Sequence, residues 1–144
     1  MSETASCQYC DNHELMAKVG VEIAVLSVSK LYLFREQSHP GRVIVAYNGH
    51  VDDLTDLSDS ERNAFFADVA KASRAIKKAF SPAKINYAAY GDLVRHLHFH
   101  LVPKYRDDFE WGGTFVMNPE KRILSDEECR PVIDKIRAAL RVEI

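Results

Sequence analysis

One short segment constrains the fold of this chain more than any other. Residues 96–102 read His-Leu-His-Phe-His-Leu-Val, so three histidines alternate with apolar residues. Because successive side chains of a β-strand point to opposite faces, the imidazoles are predicted to share one face, and Leu97, Phe99 and Leu101 the other. The histidine face then carries groups that bind metals or act as nucleophiles. A solvent-exposed histidine row without function is the alternative, but the apolar alternation predicts a half-buried strand.

Two capping boxes mark helix starts elsewhere in the chain. Ser58 and Glu61 precede apolar residues at three- and four-residue spacing, which predicts a long helix with one buried face. Ser125 and Glu128 open a last helix, and Pro131 predicts that this helix begins later or bends. A short helix is predicted over residues 12–18, and strands over residues 21–29, 31–35, 41–47, 84–90 and 95–103. Together these elements predict an α+β domain with an antiparallel sheet.

The length and charge of the chain exclude several classes of protein. A chain of 144 residues is long enough to bury a core, and we expect a single domain over residues 1–144. The net charge of −2 argues against general binding to nucleic acid or to a membrane surface, which usually needs a basic excess. No apolar run is long enough to span a bilayer and the N-terminus lacks a signal-peptide core, so we expect a cytoplasmic protein.

Cys7 and Cys10 form a Cys-x-x-Cys pair in a predicted turn over residues 5–13. In a reducing cytoplasm, such a pair is more typical of a metal site or a redox pair than of a structural disulfide. The strand and helix that accompany a redox pair in thioredoxin-like proteins are not predicted here, which favours the metal. Cys129 stands alone in an amphipathic segment, and we expect it to be a small buried apolar residue.

The histidine row can perform two kinds of chemistry. Two strand histidines two residues apart can share a metal ion. Alternatively, the central imidazole can attack a phosphorus atom while its neighbours donate hydrogen bonds to the phosphate oxygens. The second use requires one ring nitrogen without a proton, and a hydrogen bond at the other nitrogen that fixes the tautomer. Because His98 is the central histidine, it is the one best surrounded by donors.

The pattern His-apolar-His-apolar-His-apolar-apolar at residues 96–102 resembles the motif of the histidine triad (HIT) family of nucleotide hydrolases and transferases. Residues 41–51 resemble the strand and turn that precede this motif in the family, and the similarity covers roughly residues 5–118. The resemblance implies a HIT-like fold, with an antiparallel sheet of about five strands, one long helix and a C-terminal helix. It also implies a homodimer, since many relatives pair through the sheet and the long helix.

The resemblance implies a mechanism and a substrate class as well. His98 would attack the α-phosphorus and form a nucleotidyl-histidine intermediate, and His100 would contact the α-phosphate before water releases a nucleoside monophosphate. The substrates of the family are purine nucleoside phosphoramidates, acyl nucleotides and dinucleoside polyphosphates. We therefore predict a hydrolase or nucleotidyl transferase for purine nucleotide conjugates, with hydrolysis favoured. A dinucleoside polyphosphate phosphorylase and a nucleotide-binding module with little catalysis are the alternatives.

The chain departs from the family pattern near the predicted site. Arg42 stands where the family often has a histidine, and it could grip phosphate or face solvent. Residues 91–93 read Gly-Asp-Leu instead of Gly-Gln-Ser or Gly-Gln-Thr, so Asp92 would repel phosphate unless it is protonated, orients a histidine or pairs with Arg42 or Arg95. The loop that begins at Asn86 is also a residue shorter than in the family. The candidate substrate-binding residues are Arg42, Asn86, Asp92 and His96.

Some family members have a zinc site made of a cysteine pair, the histidine that ends the upstream strand and the first triad histidine. The corresponding residues here are Cys7, Cys10, His50 and His96, and four such ligands form a closed, structural zinc site. His13 is a rival ligand, because it follows the cysteine pair as Cys-x-x-Cys-x-x-His. His39 lies in a turn before Pro40, and we expect it at the surface rather than on phosphate.

Overall fold

The computed structural model describes residues 6–142. This part of the chain contains three α-helices and five strands, joined by loops. In chain order they are α1 (His13–Val19), β1 (Gly20–Val25), β2 (Ser29–Phe34), β3 (Val43–Tyr47), α2 (Asp59–Phe80), β4 (Lys84–Ala88), β5 (His98–Lys104) and α3 (Asp126–Val142). The first residue of the predicted cysteine turn, and the ends of the predicted domain at 1–5 and 143–144, lie outside the described residues.

The five strands form one antiparallel sheet in the order β1-β2-β3-β5-β4. The histidine strand β5 therefore lies between β3 and the edge strand β4. His98 pairs with Ala46 of β3, and His100 pairs with Ile44 of β3 and Ala88 of β4. The predicted α+β fold, with an antiparallel sheet, a long helix and a C-terminal helix, is confirmed.

The two faces of the sheet have different coverings. α2 and α3 pack on one face, which receives Leu97, Phe99 and Leu101 as predicted, together with buried Cys129. The other face carries the histidines, and Met16 of α1 packs against it. The apolar residues beneath Met16 are Tyr32, Phe34, Ile44 and Ala46. The alternation in the histidine segment therefore separates a core face from a face that can carry a site.

The long helix α2 begins at the predicted capping box. The side chain of Ser58 accepts a hydrogen bond from the backbone N–H of Glu61, whose carboxylate accepts one from the N–H of Ser58. The helix ends at Phe80, and its C-cap residue Ser81 has a φ of 51° and precedes Pro82. Within residues 6–142, neither this helix nor another combines the length and apolar character needed to cross a bilayer.

Several predicted strand and helix boundaries differ from the structure by a few residues, and two of these differences have a clear local cause. The first strand ends at Val25 rather than at residue 29, because the buried Asp68 carboxylate of α2 accepts hydrogen bonds from the N–H groups of Ser27 and Val28 and holds a turn there. α3 begins directly after Ser125, at its capping box, and not later. Pro131 lies inside this helix, where its ring removes one intrahelical hydrogen bond without ending the helix.

The histidine strand is also shorter than predicted. β5 begins at His98, so His96 precedes the strand, and its Nε2 atom lies 2.6 Å from the carbonyl oxygen of Tyr47. The rings of His96 and His98 nevertheless lie against the ring of Tyr9, with centroids 5.1 and 5.2 Å away. The centroids of His98 and His100 are 5.5 Å apart. The three histidines therefore share one side of the sheet, although only two belong to the strand.

Candidate active site and metal site

A cavity of about 510 Å³ opens on the histidine side of the sheet. Its volume lies in the range of small-molecule sites in proteins. His98 and His100 line it, and so does the loop that begins at Gly91, whose φ of 79° favours glycine. The apolar part of the wall includes Val19, Phe34 and Ile44. The polar part includes Gln8, Asp92 and Asn118.

His98 is held in a single tautomer by the backbone. Its Nδ1 atom lies 2.6 Å from the carbonyl oxygen of His96. Because a carbonyl oxygen only accepts, Nδ1 carries the ring hydrogen and Nε2 keeps a free lone pair. Burial lowers the pKa of His98, which favours the neutral ring. No group within residues 6–142 hydrogen-bonds this Nε2, so the nitrogen is available to a ligand in the cavity.

Arg42 lies behind His100. Its Nη2 atom is 3.1 Å from Nδ1 of His100 and 2.7 Å from the carbonyl oxygen of Met117. The Arg42 side chain has no exposed surface and does not line the cavity. Of the two alternatives for Arg42, the solvent-facing position is therefore wrong. Arg42 reaches the cavity only through the residues that it contacts, so the direct grip on phosphate stays a prediction.

The environment of His100 disfavours its protonation. Burial and the charge of Arg42 lower the pKa of His100 to about 2, whereas a histidine in an unfolded chain has a pKa near 6.5. Below about pH 6.5 the unfolded chain binds a proton that the folded protein excludes, so stability falls progressively as the pH decreases. Above this pH both states are neutral at this position, and His100 adds no pH dependence.

We therefore expect acid to destabilise the wild-type protein more than the His100→Asn variant. Between pH 7.5 and 5.5 the wild type should lose about 1 kcal/mol more free energy of unfolding, as measured by urea titration at both pH values. The other histidines titrate in both proteins, so the difference isolates His100. Equal losses in the two proteins would contradict the proton-free state of His100.

Four residues from three parts of the chain meet beside the cavity. Ligand atoms of Cys7, Cys10, His50 and His96 all lie within 4.8 Å of one another. Sγ of Cys7 is 3.4 Å from Nδ1 of His96, and Sγ of Cys10 is 3.4 Å from Nδ1 of His50. The two Nδ1 atoms are 3.3 Å apart. Tetrahedral zinc, with bonds of about 2.0 Å to nitrogen and about 2.3 Å to sulfur, separates its ligands by about 3.3–3.8 Å, so the cluster fits this ion.

The hydrogen bonds of His96 also fit a metal ligand. Its Nε2 donates to the carbonyl of Tyr47, which leaves the lone pair of Nδ1 directed to the cluster. His96 does not line the cavity, so its predicted contact with the substrate stays a prediction. His13 is exposed and outside the cluster. Burial and Cys7 raise the pKa of Cys10 to about 11, which disfavours a reactive redox thiolate.

Of the two remaining substrate-binding candidates, one lines the cavity and the other does not. Asp92 is exposed and lines the cavity. Of its two possible arginine partners, Arg42 contacts His100 and Met117, and Arg95 pairs with Asp52 at 2.6 Å. Asn86 lies on β4 and lines two neighbouring depressions rather than this cavity, because its register places it opposite Val102, two residues beyond His100.

The loop between β5 and α3 folds back over the turn before β3. His39 in that turn is 2 % exposed, and its Nε2 lies 2.7 Å from a carboxylate oxygen of Glu110. The other oxygen of Glu110 accepts a hydrogen bond from the N–H of Val116. The predicted surface position of His39 is therefore wrong, because a distant loop covers the turn.

Several residues of the cavity were not selected from the sequence. Tyr9 lies against His96 and His98 and lines the cavity. Its position between Cys7 and Cys10 could have identified it as a residue of the site. If those cysteines bind the same ion as His96, the intervening residues must lie against the histidine row. Met117 and Asn118 line the cavity from the long loop between β5 and α3, and no local sequence pattern identifies them.

The sequence matches the family model described as "HIT domain" over residues 24–107. The AP-4-A phosphorylase of Mycobacterium tuberculosis is 32 % identical over 120 residues, which cover 74 % of this chain and 60 % of that protein. A bis(5'-nucleosyl)-tetraphosphatase [asymmetrical] of Schizosaccharomyces pombe is 35 % identical over 87 residues, which cover 57 % of this chain and 48 % of that protein. The chain thus spans about half to three-fifths of the length of these relatives.

Solved structures share the fold. A histidine triad protein from Marinobacter aquaeolei superposes with a TM-score of 0.80 at 21 % identity, covering 92 % of this chain and 96 % of that one. A Zn-bound histidine triad family protein from Mycobacterium smegmatis has a TM-score of 0.71 at 22 % identity, covering 96 % of each chain.

Proposed function

Because the chain belongs to the HIT domain family, we propose that it cleaves nucleotide conjugates at the α-phosphate, with His98 as the nucleophile. One observation carries the proposal. The hydrogen bond from Nδ1 of His98 to the carbonyl of His96 leaves a neutral ring with a free Nε2 lone pair at a cavity large enough for a small ligand. His100, two residues along the same strand, adds a second imidazole at this cavity.

The reaction consists of two displacements. In the first, Nε2 of His98 bonds to the α-phosphorus, and the bond from phosphorus to the leaving group breaks. The leaving group departs with the electron pair and takes a proton from water, while His100 donates a hydrogen bond to a phosphate oxygen. In the second, a water oxygen bonds to phosphorus and the phosphorus–nitrogen bond breaks. Nε2 regains its lone pair, a proton passes to solvent, and a nucleoside monophosphate leaves.

The walls of the cavity support a purine nucleotide as the bound half of the substrate. Val19, Phe34 and Ile44 offer apolar surface to a base, and Gln8 and Asn118 offer hydrogen-bonding groups to the sugar or phosphate. The names of the two curated relatives, an AP-4-A phosphorylase and a bis(5'-nucleosyl)-tetraphosphatase, favour a dinucleoside polyphosphate, and a phosphoramidate is the second substrate of choice.

A phosphorylase is the second candidate function. It is favoured by the relative of 32 % identity, which is named a phosphorylase. In that reaction inorganic phosphate takes the place of water in the second displacement, and the product is a nucleoside diphosphate.

We also propose that Cys7, Cys10, His50 and His96 hold a structural zinc ion. When bound, the ion would close a four-ligand shell and tie the N-terminal turn to His96. The carbonyl of that same residue orients His98, so the cluster supports the nucleophile without taking part in the reaction. A single domain over residues 1–144, a homodimer and a cytoplasmic location belong to the same proposal.

The activity is tested with diadenosine tetraphosphate and adenosine 5'-phosphoramidate, each with and without inorganic phosphate, and with separation of the products by ion-exchange chromatography. We expect AMP from both substrates without added phosphate, at a rate at least about 10⁶-fold above the uncatalysed one. ADP that forms only when phosphate is added would identify the phosphorylase instead. No turnover of either substrate would contradict the enzymatic function and favour the binding module.

A further inference from the structure

Arg42 is a buried cation without a carboxylate partner among residues 6–142. Its guanidinium lies over the rings of Phe34 and Phe115, 4.2 and 5.1 Å from their centroids. Burial lowers the pKa of Arg42 to about 10, and the group therefore remains charged at neutral pH. A buried charge without a direct ion pair is unfavourable inside a protein, so the groups that Arg42 contacts must compensate its desolvation.

Arg42 contacts two residues of the cavity wall, Met117 and His100. Nη2 donates to the carbonyl oxygen of Met117 at 2.7 Å and to Nδ1 of His100 at 3.1 Å. Nε has no hydrogen-bond partner among the residues that the structure describes. Met117 and His100 both line the cavity, whereas Arg42 does not. One buried side chain thus connects the long loop with the third histidine of the row.

The contact with Arg42 determines the tautomer of His100. A guanidinium donates hydrogen bonds and cannot accept them, so Nδ1 of His100 must be the acceptor. The hydrogen of the neutral His100 ring then lies on Nε2. His98 has the opposite arrangement, because its Nδ1 donates to a carbonyl. At the same cavity, His98 therefore offers a lone pair and the neighbouring His100 offers an N–H group.

We propose that Arg42 is a positioning residue. It fixes Nε2 of His100 as a hydrogen-bond donor, and it links His100 to Met117 on the cavity wall. The consequence rests on the proposed function, since the N–H of His100 would bind an oxygen of the α-phosphate while His98 attacks phosphorus. The guanidinium charge polarises the His100 ring and makes this N–H a stronger donor. It also opposes protonation of Nδ1, so the donor stays neutral.

A purely structural role of Arg42 is the competing explanation, because a buried arginine also stabilises a fold by packing. Arg35 is a matched control in the same connection between β2 and β3. It donates hydrogen bonds to the carbonyl of Leu124 and to the carboxylate of Asp126, and it touches neither His100 nor the cavity. Loss of Arg35 should therefore reduce stability without changing the His100 ring.

The direct test is the tautomer of His100, measured by NMR at pH 7.5 on protein with ¹⁵N-labelled histidine. The His100 signals are assigned from their absence in His100→Asn. In the wild type we expect hydrogen on Nε2 only. Arg42→Met, which removes the donor, should show mixed tautomers of a neutral ring, and Arg35→Met should leave the signals unchanged. A wild-type ring with hydrogen on Nδ1, or a fixed Nε2–H in Arg42→Met, would overturn the proposal.

Turnover provides a second measurement. We expect Arg42→Met to lower kcat by about tenfold to a hundredfold, with less than about a threefold change in KM. Arg42→Lys retains one donor and should recover part of kcat, and Arg35→Met should keep the wild-type value. Equal losses in Arg42→Met and Arg35→Met would indicate a structural role only.

The two measurements separate this proposal from the proposed function. The NMR experiment needs no substrate, so a protein that cleaves no nucleotide would refute the activity and still report the tautomer. If Arg42→Met does not fold, the wild-type tautomer and the comparison with Arg42→Lys decide the question.

Discussion

Replacing His98 by asparagine is expected to lower turnover by about 10⁴-fold or more, because the variant has no ring nitrogen to attack phosphorus. In wild-type protein quenched with alkali during turnover, we expect a nucleotidyl group on the tryptic peptide of residues 96–104, and fragmentation should locate it on His98. The variant should carry no such group. The measurements are initial rates with a nucleotide substrate and mass spectrometry of the digested protein.

His13→Asn is the matched control, because it makes the same substitution at an exposed histidine that does not line the cavity. It should keep wild-type turnover. Binding of AMP to His98→Asn, measured by calorimetry, should stay within about threefold of the wild type because the other walls are unchanged. Full activity of His98→Asn, or a label on His100 instead, would refute the assignment. A wild type without turnover whose AMP binding depends on His98 would support the binding module.

Removing one ligand of the cysteine–histidine cluster is expected to have the second-largest effect. The wild type should contain one zinc ion per chain by elemental analysis, and His50→Asn should contain almost none. Loss of the ion should lower the free energy of unfolding by about 3–5 kcal/mol, since zinc stabilises only the folded arrangement of its ligands. For a chain of this length the melting temperature should fall by about 10 °C.

His13→Asn again serves as the control, and here it also tests the rival ligand set Cys-x-x-Cys-x-x-His. We expect it to retain zinc, because His13 lies outside the cluster. If His13→Asn loses zinc and His50→Asn retains it, then His13 rather than His50 is the zinc ligand. A wild type that takes up no zinc from a zinc-buffered solution would contradict the metal site altogether.

Local periodicity in the sequence predicted the features that depend on neighbouring residues. The period of two in residues 96–102 indicates which side chains face the core, because it follows from strand geometry alone. The capping box at Ser58 predicts the start of α2 for a similar reason, since its hydrogen bonds join residues three apart. The four cluster residues followed from the family resemblance, which supplied two histidines that spacing alone does not connect with Cys7 and Cys10.

By itself the sequence therefore determined the histidine face and the α+β class, whereas the residues of the cysteine–histidine cluster came from the family resemblance. Only the tertiary structure decided that Arg42 lies buried behind His100, that His39 is covered by the long loop and that Asn86 lies away from the cavity. The physical reason is the distance along the chain. The hydrogen bonds of Arg42 join residues 58 and 75 positions apart, and such contacts depend on how the whole sheet and loop pack rather than on any local pattern.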